Sequence, residues 1–531
     1  MRTKFLSLAL TAILALPALA SAAPSGTVVV AQGVDPTTLD PQNHQETPAA
    51  NLATNVFDFL LERDQDLKIV PMLAESYRNV APTVWEFKLR RGAKFHNGEP
   101  VDAEAVKFTV ERIVDAKLKL RGATPWAPLS HAEVVDPQTV RIHTKAPWPI
   151  LDTMVTTLPI LAPKYYREKD LQHVARNPVG SGPFKFVRWV KDDRIELAAN
   201  EQYWRGAPKV KALVFRPIPD DAVRVAALQN GEIDVAVNIP PHLATIIANH
   251  PRLFLSQAPS VRTIQLMYYT HQFDAQHKLV GPYAGPVADK RVRQAMNYAV
   301  DVDQVIKEVL DGKGVRVATM LTTNHFGFDP QLKPIKQDLG KTKQLLTEAG
   351  FPNGVDMVVN APQGRYVRDK EVAEAITGQL GKAGIRATLR VHEWGNYLNN
   401  MAYVHKAGPV WLIGWGTTTY DAETVYVPLF RSGKILGNYH NADFDGMADE
   451  AQKIMDPKRR LELYHRMNRL WVEDAAAMPL YQQLDLYGAT RRVTWKARRA
   501  WGKRPTSTLL TNVRVTDSGT WFSDLHAVVQ A

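Results

Sequence analysis

Three stretches carry side chains able to recognise a small polar molecule. In "GWGTTTYDAETVYVPLF", Gly414 to Phe430, Trp415 stands where the apolar run "VWLIGW" gives way to a loop of hydroxyls and acids. A strand that ends on such a loop is where open α/β sheets collect ligands. Trp415 therefore reads as an aromatic wall and Thr417, Thr418 and Thr419 as hydrogen-bonding groups. Asp421, with Glu423 close behind, reads as the partner of an ammonium group. In "QGRYVRDKEVAEAI", Gln363 to Ile376, Arg365 and Tyr366 lie between a strand and a helix. The planar fork of arginine suits a carboxylate bidentately. Arg262 offers the same fork further upstream. Tyr268 and Tyr269 follow it on one strand, where successive side chains face opposite sides, so at most one of them can look into a cleft.

Bond-making chemistry finds less support. The chain has no cysteine, which removes thiol catalysis, Cys-ligated zinc and iron–sulfur sites. Gly180-Ser181-Gly182 has the wrong spacing for a nucleophile elbow and sits in a turn. His392-Glu393 opens like a zinc-protease helix, but Asn396 occupies the place of the second histidine. "DFDGMADE" from Asp443 lacks the ligand series of a calcium loop and reads as a helix start. No P-loop or Rossmann glycine pattern is present, and the 15 histidines do not cluster. The expectation is a binding protein without cofactor or metal; a secreted hydrolase is the remote alternative.

The elements that position these residues begin after a secretory signal. Arg2 and Lys4, the apolar run Phe5 to Leu19 and Ala20-Ser21-Ala22 form its three parts, and a run of about 15 residues is short for a membrane span. Lacking a lipidated cysteine, the mature chain is expected free in a Gram-negative periplasm. Its core, from about 500 residues, is ample without disulfides. The formal charge is +11, from 65 basic and 54 acidic residues, and +9 without Arg2 and Lys4. Basic residues are dispersed except in "RRVTWKARRAWGKR", Arg491 to Arg504, which would suit nucleic acid; export makes a solvated face the better reading. Thr27 to Ala31 is a buried-type strand, and a helix is expected around Ala49 to Leu61. Trp85, Phe87 and Leu89 alternate along a strand before Asp102 caps a helix with Val106, Val110 and Ile113 on one face. Asp301 or Asp303 restarts a helix that turns Ile306, Val309 and Leu310 inward. Beyond it, strands at Met357 to Asn360, Ala387 to Val391 and "VWLIGW" alternate with helices, the pattern of parallel α/β packing.

Several blocks occur together: "LAESY", "WEFKLRRGAKFHNGEPVDAEAVKF", "NPVGSGPFKFVRW", "YWRGAPKV", "VRQAMNYAVDVDQVI" and "LLTEAGFPNG". In this order, over nearly all the mature chain, they resemble the extracellular solute-binding proteins of family 5, the peptide-binding branch that feeds ATP-binding-cassette importers. "GWGTTTYDAETVYVPLF" and "QGRYVRDKEVAEAI" are similar to its glutathione and dipeptide-type receptors. The resemblance implies an α/β, bilobal periplasmic-binding-protein fold (type II-like, cluster C) with an extra small lobe, closing on its ligand by a hinge. Lobe I would comprise residues 23–55, 180–262 and 486–531, with the extra lobe, 56–179, inserted in it and lobe II at 263–485. The chain would cross between lobes near Ser260 to Gln265 and Pro479 to Leu486. Arg262 then sits at a crossing, for a carboxylate or a hinge salt bridge, and His44 and Thr47 supply lobe I contacts. Partners would be a peptide or peptide-like solute and the membrane permease subunits, with no nucleic acid, the receptor being a monomer. Nickel, haem, opine or sugar are alternative cargoes on the same fold. One departure stands out: dipeptide receptors of the family carry an aspartate three residues after the loop tryptophan, where this chain has Thr418.

Overall fold

β-Branched runs bounded by turn residues become strands, and one sheet gathers most of them. The computed structural model describes residues 24–494 apart from 45, 65 and 66, together with the short strands Arg514–Val515 and Thr520–Trp521. The signal segment, residues 1–22, and most of the basic run, from residue 495 on, lie outside the described residues; Arg492, at the start of that run, pairs with Asp234. Eleven strands share the main sheet. Thr27–Gln32 lies parallel to Ala212–Pro217 on one side and Val235–Ala236 on the other, and the hairpin Phe184–Val190 with Arg194–Ala199 extends that end. At the far end, Val355–Gln363 runs parallel to both Ile385–Glu393 and Val410–Gly416, as the strand–helix alternation predicts. Two long antiparallel strands, Leu253–Tyr268 and Ala477–Thr490, join the ends.

Three apolar clusters cover this sheet. The first holds Val28, Val56 and Phe87 together with Ala258 and Tyr487. The second begins at Ile264 and ends at Tyr481. The third packs the helices Asp221–Asn230 and Pro241–Ala248 on Leu253 and Leu486. Each long strand thus changes core within a few residues, between Ala258 and Ile264 and between Tyr481 and Leu486. Their mutual register slips between Pro259 and Thr263, in the same interval.

A four-stranded antiparallel sheet, ordered Ala74–Ala81, Val84–Leu89, Thr139–Thr144 and Leu129–Asp136, carries the helix Ala103–Val114. Asp102 caps that helix by accepting from the Ala105 N–H, and Val106, Val110 and Ile113 are buried.

The family-like segment around Gly180 proves to be a structural joint. The Gly182 N–H donates to the Val56 carbonyl at 2.9 Å, and a Cβ on Gly182 would lie 2.7 Å from that carbonyl carbon. Beside it, Asp58 accepts from Ser181 Oγ (3.0 Å), Tyr203 Oη (2.9 Å) and Trp204 Nε1 (2.9 Å). Burial raises the Asp58 pKa to about 6 despite these donors. This joint explains why the first helix spans Thr47–Val56 rather than reaching Leu61: the chain must turn at Phe57 to place Asp58 under the Tyr203–Trp204 loop. Downstream, Asp301 rather than Asp303 caps the helix Val302–Val309, and Val309 is half-buried.

Candidate functional site

A cleft of about 1080 Å³ opens between the first and second cores, where Val355–Gln363 and Val410–Gly416 run out. The first loop and helix, the small four-stranded unit and the second core all line it. Of the sequence-derived candidates, His44, Thr47, Arg262, Arg365, Tyr366, Trp415, Thr417, Thr418 and Thr419 line the cleft; Tyr268 and Asp421 do not.

The Arg365 loop is held by a carboxylate. Asp369, at the start of the helix Asp369–Lys382, accepts from the backbone N–H groups of Gly364, Arg365, Tyr366 and Lys370 at 2.8–3.0 Å. Tyr366 is thereby seated so that its hydroxyl donates to the Gly414 carbonyl at 3.2 Å. The guanidinium carbons of Arg262 and Arg365 lie 5.8 and 5.2 Å from the Tyr366 ring, and Arg365 also lies 5.2 Å from the Trp394 ring. Such cation–π contacts hold the guanidinium groups while leaving their N–H forks available. Gly414 makes room for the arrangement, since a Cβ there would stand 2.7 Å from both Arg262 Cδ and Tyr366 Cε1. Neither arginine has an ion-pair partner among the described residues. Partial desolvation, then the like charge of Arg262, lowers the Arg365 pKa.

On the neighbouring loop, Trp415 Nε1 donates to the Thr424 carbonyl at 3.0 Å, which pins the indole at the strand end. The hydroxyls of Thr417, Thr419 and Thr424 satisfy one another at 2.6–3.2 Å. Thr418, half-buried, has no such partner among the described residues.

Asp421 corrects the sequence expectation. Both its oxygens accept from Arg460, at 2.7 and 2.6 Å, and the pair is buried. Its charge is consumed inside the second core, so no ammonium partner stands there. Glu423 does line the cleft, but it too accepts from Arg460, at 3.2 Å. Burial, then the Asp421 charge, raises its pKa to about 8, so it holds a proton at neutral pH. Tyr268 is the second correction: it is 1% exposed and donates to Asn297 Oδ1 at 2.8 Å. Tyr269 is buried as well and accepts from the Ala407 N–H. A central strand is covered on both faces, so facing opposite sides brings neither tyrosine to the cleft.

The opposite wall is fixed by Arg112, which donates to Asp40 and to Gln42 at 2.7 Å each. The loop that continues from them carries His44, whose pKa burial lowers. It also carries Glu46, which the sequence reading passed over. Glu46 Oε1 accepts from the N–H and hydroxyl of Thr37 at 2.5 and 2.8 Å, and its charge acts on His44 against the larger effect of burial. Nothing local distinguished it from an ordinary residue before a helix. Two contacts tie the walls across the mouth: Arg63 Nη2 donates to the Thr419 carbonyl at 2.5 Å, and Trp148 hydrogen-bonds Glu423. Trp394, also missed, directly follows the end of the strand Ile385–Glu393, while Trp415 is the penultimate residue of its own strand.

Outside the cleft, Ser432, His440 and Asp445 meet, but both contacts fall on His440 Nδ1, at 2.8 and 3.2 Å. A relay needs the serine and the carboxylate on different ring nitrogens. Among the described residues no group of three His, Asp or Glu is placed to hold a metal, and no helix is long and apolar enough to cross a membrane.

Recognition groups converging on a cleft between two cores, which a pair of long strands connects, define a protein that encloses a small solute. The family model for bacterial extracellular solute-binding proteins, family 5, matches residues 68–437, and the chain belongs to this family. It is 28% identical over 473 residues to the glutathione-binding protein GsiB of Escherichia coli K12, covering 85% of this chain and 88% of that one. Among solved structures, the periplasmic binding protein DppA of Helicobacter pylori with the peptide STSA matches at TM-score 0.72 and 25% identity, over 88% of this chain and 95% of that one. The protein MoaA of A. tumefacien R10 with mannopinic acid matches at TM-score 0.72 and 25% identity, over 94% and 100%.

Proposed function

We propose that this protein captures a peptide or peptide-like solute in the periplasm and delivers it to the permease of an ATP-binding-cassette importer, without altering it. The observation that carries this reading is the pair Arg262 and Arg365, unpaired and open to a cleft that separate cores enclose. Peptides present the carboxylate that such a fork accepts. The relatives named for glutathione and crystallised with a peptide agree in cargo class. Residues 263–485 would act as one lobe and residues 23–55, 180–262 and 486–531, with the extra lobe 56–179 inserted, as the other, with bending concentrated where the long strands lose register. Solute favours the closed arrangement because only there do both walls touch it. The receptor works as a monomer and presents both lobe rims to the permease.

Native mass spectrometry of the protein taken from its own periplasm tests the reading, with solution scattering before and after the bound solute is removed. A co-purified peptide-like mass and a more compact bound form are expected. One unchanging shape, or a solute released chemically altered, refutes it. An opine cargo is the second reading, favoured because the same arginines suit any carboxylate and because MoaA holds mannopinic acid; the released mass separates the two.

A further inference from the structure

The contacts that bridge the mouth of the cleft converge on one short loop of the second core. Arg63 ends the strand Leu61–Arg63, which pairs with Ile69–Pro71 and belongs with Leu60 and Leu61 to the first core. Its guanidinium is held from its own side: Nη1 donates to the Leu67 carbonyl at 2.7 Å and Nη2 to Thr153 Oγ1 at 3.0 Å. The same Nη2 also donates across the cleft to the Thr419 carbonyl, and the guanidinium carbon lies 5.2 Å from the Tyr420 ring. Trp148, buried in the first core, hydrogen-bonds Glu423 a few residues further along that loop. The loop itself is anchored in the second core. The Tyr420 carbonyl accepts from the Phe326 N–H at 2.8 Å, Asp421 is gripped by Arg460, and Ala422 is fully buried.

The loop carries local strain at the point of contact. Tyr420 has φ 52°, in the left-handed region that a bulky side chain enters only at a cost. Such a conformation persists where the surroundings over-determine it, and here Phe326 holds the backbone while His325, at 5.6 Å between ring centroids, and Arg63 flank the ring. The turn leaves the hydroxyls of Thr417, Thr419 and Thr424 satisfying one another and the Thr419 carbonyl facing Arg63. We propose that residues 419–423, with Arg63 and Trp148, form a latch between the two cores that holds the cleft closed for part of the time before any solute enters. The proposal rests on the receptor reading above and adds positioning residues to it, which act on capture through the lobes. A solute that binds the closed form has an apparent affinity scaled by the fraction already closed. The latch therefore tunes affinity for every cargo by one common factor, whereas Arg262 and Arg365 choose among cargoes.

The test reads the distance between the lobes in the full mature protein. The chain has no cysteine, so spin labels go on at Ala127→Cys and Lys406→Cys, exposed positions beside the cleft-lining Trp126 and near the cleft-lining Tyr403. Distances are measured by electron resonance in the protein as isolated from its own periplasm and after all solute has been removed. The solute-free protein is expected to populate the short distance of the isolated form. Arg63→Gln removes a hydrogen bond from a charged donor, worth a factor of about ten or more, so its ratio of closed to open should fall at least about tenfold. Tyr420→Leu leaves Arg63 its bonds to Leu67 and Thr153, and Trp148→Phe keeps an aromatic ring; each should lower the ratio about threefold. These two variants carry the test if Arg63→Gln fails to fold. Only the long distance in the solute-free wild type overturns the proposal, and so does a short population that no folded variant depletes. In both cases capture itself survives, because the isolated form still shows the short distance. One distance shared by every sample, variants included, means that the lobes do not move, and the receptor reading then falls together with the latch.

Discussion

Replacing Asp421 by asparagine separates a core role from a ligand role. In the structure its two oxygens grip Arg460 at 2.7 and 2.6 Å, and Arg460 also donates to Glu423 at 3.2 Å and Tyr464 Oη at 2.9 Å. Arg460 is 4% exposed and Asp421 5%. Removing one partner of such a pair typically costs about 3–5 kcal/mol, because the other charge stays buried. Here the neighbouring Glu423 can release its proton and take over part of the pairing, so Asp421→Asn alone is expected to fall below that range. Asp421→Asn combined with Glu423→Gln is expected to reach it. For a lobe of about 220 residues each kcal/mol lowers the melting temperature by about 2–4 °C, so the double variant should melt roughly 6–20 °C lower. Differential scanning calorimetry reads this directly, and titration of the same samples with the co-purified solute reads affinity. Solute affinity of Asp421→Asn should stay within about threefold of wild type. A variant that melts like wild type but no longer binds would show that Asp421 meets the solute, and the account of a consumed charge would be wrong.

Other perturbations reach other parts. Gly414→Ala places a methyl group 2.7 Å from Arg262 Cδ and Tyr366 Cε1; overpacking of about 1–3 kcal/mol is expected, with at least a tenfold loss of solute affinity in the same titration. Raising pH should destabilise the second core through Glu423: its folded pKa, about 8, exceeds its ordinary 4.5. The native state therefore holds a proton that the unfolded chain has released, so this group's contribution falls as pH rises between those values and levels off above about 8. Melting curves from pH 6 to 9 should show a decline that Glu423→Gln reduces. Asp58→Ala strands the donors of Ser181, Tyr203 and Trp204 and should cost on the order of 3 kcal/mol. Calorimetry should place that loss in the transition of the first core, leaving the second in place.

The strands were legible because β-branched runs and turn residues are local signals, and Asp102 and Asp301 were legible as caps for the same reason. So was the neighbourhood of Trp415 and Arg365, since a strand end followed by polar residues names its own position. Asp421 was misread because its partner Arg460 lies on a helix 39 residues away, and sequence spacing carries no sign of that meeting. Tyr268 failed for a different reason: alternation distinguishes two faces of a strand but not which face meets solvent. Glu46 was passed over because nothing in the sequence shows that its loop forms part of the cleft wall.

The slip between the two long strands has a mechanical consequence. Arg262 stands inside the interval where those strands fall out of step, so under the proposed bending there a solute that grips its guanidinium would pull on the pivot itself and not on a distant surface. On that proposal sensing and bending would share one short piece of backbone, and a guest too small to reach it would occupy the cleft without swinging the lobes together.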